Sequence, residues 1–193
     1  LHTTNAPNKM ADKIRKWEKR GTQPLSDHRI FQLREDTVVN PRTGNEHKMV
    51  VLECPDWVNI IAITPNEEMV MVEQFRHGTN TVDLEIPGGV MDPEDNSALV
   101  TGIRELREET GYEGVDARIL GEIAPNPAIM NNYCRTVLIE QCELKHATEF
   151  DSGEDIQTKL IPICEMDHLV ASGAIQHSLV VVAFYHYKLL KQL

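Results

Sequence analysis

Apolar positions along this chain follow two kinds of spacing. Runs of β-branched and large apolar residues, bounded by turn residues, occur at Arg29 to Val39, His47 to Cys54, Trp57 to Ile63, Met69 to Gln74 and Val82 to Ile86. The turns between them include Asn40-Pro41-Arg42-Thr43-Gly44-Asn45 and Pro65-Asn66. These runs predict strands of an antiparallel meander, entered through an N-terminal lobe of two or three strands. The spacing then changes. Leu99, Ile103 and Leu106 recur at intervals of four and three, which predicts a helix with that stripe facing a core. Ser97 or Asn96 is its candidate N-cap and Gly111 its stop. Beyond it, Ala117 to Ile123, Arg135 to Cys142 and Ile156 to Ile163 read as strands. Met166 to Ser172, stopped by Gly173, and roughly Ile175 to Leu190 read as helices. At the other end, the charged stretch Met10 to Arg20, with Ile14 and Trp17 three apart, predicts a short helix. Trp17 reads as an anchor into the body or a partner subunit. Strands, a helix, more strands and terminal helices amount to an α+β layering.

Composition narrows the function classes. The 193 residues are 41% hydrophobic, enough for one core with a small appended lobe. The division expected is a tail at 1–9, vector-derived or disordered and preceding a native start at Met10, an N-terminal β lobe at 10–55, and a main domain at 56–193. A net charge of −11 excludes nucleic-acid binding through a general basic surface. An anionic substrate would have to be held by local arginines and metal. No apolar run reaches membrane-spanning length, and no signal peptide is recognisable. Cys54, Cys134, Cys142 and Cys164 lack any Cys-x-x-Cys spacing, which argues against zinc and reads as reduced core thiols of a cytoplasmic protein. The histidines form no His-x-x-x-His pair and read as structural or exposed.

The chemistry concentrates between Gly88 and Tyr112. A glycine pair follows the run Val82 to Ile86 and the stop at Pro87, and the helix then places Glu105, Glu108 and Glu109 at i, i+3 and i+4. Three carboxylates side by side near a helix C-terminus oppose one another and the macrodipole. A divalent cation resolves that conflict, and oxygen-only ligation suits Mg²⁺ or Mn²⁺. The plainer reading is a solvated acidic face with Arg104–Glu108 as an ordinary i,i+4 pair.

The word Arg104-Glu105-Leu106-Arg107-Glu108-Glu109-Thr110-Gly111-Tyr112 resembles the second half of a Nudix box, Gly-x5-Glu-x7-Arg-Glu-U-x-Glu-Glu-x-Gly-U, with U apolar. The first half is one residue longer than that pattern, so either Glu94 or Asp95 fills the role of its first acid, which buttresses loop and helix. Gln74-Phe75-Arg76 and Leu84-Glu85-Ile86-Pro87-Gly88-Gly89 resemble the Gln-x-Arg and Leu-Glu-x-Pro-x-Gly words of the ADP-ribose and nucleoside-diphosphate-sugar pyrophosphatase branch.

The resemblance implies a Nudix α/β/α sandwich with a small N-terminal antiparallel β lobe, in a homodimer that exchanges that lobe. It implies metal-dependent hydrolysis of a diphosphate into two monophosphates. The Gly88 carbonyl, Glu105, Glu109 and Glu108 would hold Mg²⁺, or Mn²⁺ in its place, and Arg104 would orient the glutamates. Arg76 would reach a substrate phosphate, a bidentate charged task suited to guanidinium, with Glu85 beside it. The loop Pro125 to Asn132 would border the substrate through Asn126, Met130 and Asn132. A further acid, in the loop before the penultimate strand, would take the proton of the attacking water: Glu154, with Asp151 and Glu149 as alternatives. Phe31 shares a strand face with Arg29 and is either core or the aromatic that stacks a purine. Two other readings stand beside this one: a dinucleoside-polyphosphate or nucleoside-triphosphate hydrolase, and a non-catalytic nucleotide-binding module.

Overall fold

The computed structural model describes residues 13–192, so the expected tail at 1–9 and the start of the expected first helix lie outside the described residues. The chain divides into two compact units after Glu53.

The first unit is a three-stranded antiparallel sheet of β1 (Glu18–His28), β2 (Phe31–Val39) and β3 (Glu46–Glu53), in the order β1-β2-β3. Among the described residues the expected helix over Met10 to Arg20 does not form: residues 13–17 are irregular and Glu18 already pairs with Val39. Tertiary pairing overrides a local pattern that is mostly charged. β1 continues through Pro24 because it is an edge strand whose register slips between Pro24 and Ser26, where a missing N–H costs no ladder bond. Asp36, 7% exposed, ties the strands together by accepting from Thr22 Oγ1 (2.8 Å) and Arg34 Nε (3.2 Å). Trp17 packs on His47, ring centroids 5.5 Å apart.

The second unit is an α/β/α sandwich of α+β class. One sheet has the order β7-β4-β9-β8, from Gly88–Val90, Trp57–Ala62, Cys134–Leu144 and Tyr112–Ile123; the other has the order β10-β5-β6, from Ile156–Pro162, Glu68–Arg76 and Thr81–Glu85. The helices are α1 (Ala98–Thr110), α2 (Met166–Ala171) and α3 (Ser178–Gln192). The expected meander does not form. The runs ending at Cys54, Ile63 and Gln74 lie in three different sheets, and β4 pairs in parallel with β9, across the four strands and the helix that separate them in the chain. A run buried on both faces has no polar alternation, so it does not specify a hairpin partner.

Alternation along β4 shows how the layers are filled. Val58, Ile60 and Ala62 point to a core shared with Ala98 and Leu106 of α1, while Ile61 and Ile63 point to one shared with Val180, Ala183, Phe184 and Tyr187 of α3. Helix α3 begins at Ser178 rather than Ile175, which is itself buried in the second core. Of the cysteines, Cys134 and Cys142 are core thiols, their pKa raised by burial to about 12 and about 11. Cys54 is half-buried and Cys164 exposed, against the expectation of four core residues. Among the described residues, no helix is long and apolar enough to cross a membrane.

Candidate active site

Helix α1 is fixed at both ends by its own sequence. Ser97, in an extended conformation, caps the first turn by accepting from the Val100 N–H. Gly111, at φ 74°, ends the helix in the left-handed region and donates its N–H to the Arg107 carbonyl at 2.8 Å. Of the expected stripe, Leu106 is buried and Leu99 packs against the same core, but Ile103 does not. Ile103 is 46% exposed, and the buried face runs through Ala98, Thr101, Gly102, Glu105, Leu106 and Glu109. Two of the three glutamates therefore point inward, beside the core.

The glycine pair meets them there. Instead of a plain turn, Gly88–Val90 pairs as β7 with β4, and this edge lies over α1. A Cβ on Gly88 would run into the backbone carbonyl of Val58 on the paired strand, and one on Gly89 would push the Glu105 carboxylate aside. The Gly88 N–H donates to Glu109 Oε2 at 3.1 Å. Glu109 is 3% and Glu105 9% exposed. Burial drives both pKa values up, to about 7 for Glu105 against the pull of Arg104, and to about 8 for Glu109, where Glu105 adds repulsion and the Gly88 N–H opposes it. The charge of Glu154 raises both.

Arg104 braces the group from outside. It reaches Glu108 (2.9 Å), Asp95 (3.0 Å), Glu105 (3.1 Å) and Asp92 (3.3 Å). Burial works against its charge, but Asp95, Glu105 and Glu108 outweigh burial and raise its pKa. Asp95 also accepts from Thr101 Oγ1 at 2.8 Å; that bond, with the one from Arg104, depresses its pKa. Of the two acids open for the buttressing position, Asp95 makes these bonds, and Glu94 is exposed.

Arg76 is held by two parallel bonds to Glu85, at 2.7 and 2.8 Å, and its pKa is raised chiefly by that carboxylate. Its charge is felt at Glu109, and 42% of its side chain stays exposed. His177 Nε2 lies 3.8 Å from Glu85, a neighbour that isolated histidines in the sequence do not announce. In the loop after β8, Asn126 is exposed and its carbonyl accepts from Met130 N–H (2.8 Å), while Met130 is half-buried. Asn132 is 2% exposed and donates to the Pro55 carbonyl at 2.9 Å, fastening that loop to the start of the unit. Glu154 is exposed and accepts the Asp151 N–H at 2.9 Å. Glu149 is bound to Arg107 at 3.0 Å. Phe31 belongs to the first unit, half-buried, its ring 4.8 Å from that of His28.

Among the described residues, no three acidic, histidine or cysteine side chains gather into a metal cage of their own. What is present fits a cation of the Mg²⁺ type. Two carboxylates are buried and repel each other even with Arg104 paired to Glu105, and a hard ion that retains waters and binds phosphate needs only one or two protein carboxylates.

Comparison with known proteins agrees with this arrangement. The NUDIX domain family matches residues 55–179. The chain is similar to a methanol dehydrogenase activator of Bacillus methanolicus, 28% identical over 169 residues that cover 87% of this chain and 90% of that protein. It is also similar to an ADP-ribose pyrophosphatase of Mycobacterium tuberculosis, 29% identical over 161 residues covering 83% and 77%. A solved structure of an ADP compounds hydrolase shares the fold, with a TM-score of 0.83 at 17% identity, covering 94% of this chain and 97% of that one. The chain belongs to the Nudix family. Its class is that of the Nudix pyrophosphatases, enzymes that hydrolyse a diphosphate linkage.

Proposed function

We propose that this enzyme hydrolyses ADP-ribose or a related nucleoside diphosphate sugar, giving AMP or another nucleoside monophosphate and a sugar phosphate. The observation that carries the reading is the pair Glu105 and Glu109, buried against the β7 glycines with the charged Arg76 in range and Glu154 acting on both. The names of similar proteins support the substrate class.

The Gly88 carbonyl, Glu105, Glu109 and Glu108 would hold Mg²⁺ or Mn²⁺. Such an ion supplies neutralisation of phosphate charge and a bound water of lowered pKa. Glu85 fixes the Arg76 guanidinium so that its exposed edge grips a diphosphate oxygen. Arg104, already bound to four acids, orients the glutamates rather than substrate. Glu154 accepts the proton of the attacking water, and the departing monophosphate takes the bridging oxygen. Asn126, Met130 and Asn132 belong to the loop that borders the substrate. The protein acts as a cytoplasmic homodimer in which the N-terminal lobe completes the nucleoside pocket.

The substrate assignment is tested with Phe31. If its ring stacks a purine, Phe31→Ala raises KM for ADP-ribose by roughly ten- to a hundredfold with a smaller change in kcat, the scale of one base stacked on one aromatic. A drop in Tm with KM unmoved would make Phe31 a packing residue of the first unit.

The metal assignment has a pH signature. Glu105 and Glu109 have folded pKa values raised above the unfolded value, so in the metal-free protein the stability these two groups contribute is fully present below the ordinary carboxyl value and is lost as pH rises through about 7 and 8. Cation binding requires both to be ionised and removes that penalty. The rise in Tm on adding Mg²⁺ should therefore be larger at pH 8.5 than at pH 5.5. Equal rises at both values would contradict ligation by these two residues.

A further inference from the structure

The segment that carries Glu154, between β9 and β10, is fastened to the C-terminal end of α1. The last carbonyls of a helix have no partner within it. Here the segment supplies them: the Glu149 N–H donates to the Glu108 carbonyl at 2.8 Å, and the N–H groups of Lys145 and His146 both donate to the Gly111 carbonyl at 3.0 Å. One side-chain link joins the two at mid-segment, Arg107 Nη2 to Glu149 Oε1 at 3.0 Å. Arg107 lies one turn before the helix end, where its charge also suits the macrodipole. Two residues further on, Asp151 begins the turn that holds Glu154: its N–H donates to the Glu154 carboxylate, and its carbonyl accepts the Glu154 N–H at 3.0 Å. The same helix thus carries Glu105 and Glu109 on its buried face and, through Arg107, the attachment of the acid that acts on them.

We propose that Arg107 and Glu149 are positioning residues, whose ion pair clamps this segment on α1 and so sets where the Glu154 carboxylate stands relative to Glu105 and Glu109. The proposal rests on Glu154 as the proton acceptor. It also gives Glu149, whose carboxylate is paired with Arg107, a task other than that of proton acceptor. Both side chains are about half exposed, so the pair adds little to global stability, and its effect lies in placement. Displacement of a catalytic group by about 1 Å costs on the order of a hundredfold in rate.

The experiment compares Arg107→Ala, Glu149→Ala and the double variant in kcat and KM for ADP-ribose, in Tm, and in hydrogen exchange at the Glu149 and Glu154 amides. Each single variant should lose about ten- to a hundredfold in kcat, with KM changed far less and Tm within about 2–4 °C of the parent. Exchange at both amides should quicken, and the double variant should be no worse than either single one. Arg107→Lys should recover part of kcat. Wild-type kcat in the single variants overturns the proposal, whatever their exchange rates. So do losses that multiply in the double variant, or a Glu149→Ala loss far beyond that of Arg107→Ala, which would mark Glu149 as the base. Glu154→Gln is measured in parallel. Full turnover there contradicts the base assignment and with it the expected effect on kcat, whereas an impaired Glu154→Gln beside wild-type kcat in the single variants overturns the clamp alone.

Discussion

Glu109→Gln should reduce kcat by orders of magnitude while the metal-free protein melts no lower than the parent. The two halves of this result have one cause. Glu109 is 3% exposed, and burial holds its pKa at about 8. An amide of the same shape cannot supply the charge that ligation needs, yet it removes an anion that the fold carries at a cost above neutral pH. It can still accept the Gly88 N–H through its carbonyl oxygen. A variant that is inactive because it has unfolded would melt early. Unchanged turnover at saturating Mg²⁺ would exclude Glu109 as a ligand.

The second large effect concerns Glu154. Glu154→Gln should lower kcat by about 10²–10⁴, the span of a positioned general base, with KM little moved. Asp151→Asn is the control, because Asp151 holds Glu154 through its backbone, which the substitution leaves in place. If Asp151→Asn shows the loss and Glu154→Gln does not, the base is Asp151. The Mg²⁺ dependence must be recorded in the same series. Since Glu154 acts on both Glu105 and Glu109, activity restored by high Mg²⁺ would make it a ligand instead of a base.

How far the site is legible in the sequence depends on whether its determinants are local. The helix with its glutamates is legible because Ser97 and Gly111 are cap residues a few positions from what they cap. Which face it buries is legible only in part. Apolar periodicity assigns Ile103 to the core, but the structure leaves it exposed and buries Glu105 and Glu109 in the arc that a purely structural helix would fill with apolar residues. Functional positions are where such a pattern breaks. The extra residue in the first half of the box leaves Glu94 and Asp95 equivalent on paper, and only packing brings Asp95 within reach of both Thr101 and Arg104. Strands are found where β-branched runs predict them, but their partners are not, because β4 meets β9 across more than seventy residues. The Arg107–Glu149 link has no signal in the sequence, being one of many possible pairings among charged surface residues.

The most direct measurement is a product analysis. The protein is incubated with ADP-ribose and Mg²⁺, with a chelator in a matched control, and the phosphorus species are resolved by ³¹P NMR. Attack at the diphosphate gives AMP and ribose 5-phosphate in equal amounts, without inorganic phosphate, and the chelator abolishes both. Intact ADP-ribose at high enzyme concentration, with Mg²⁺ or Mn²⁺ present, would contradict the assignment of this site to nucleoside diphosphate sugars.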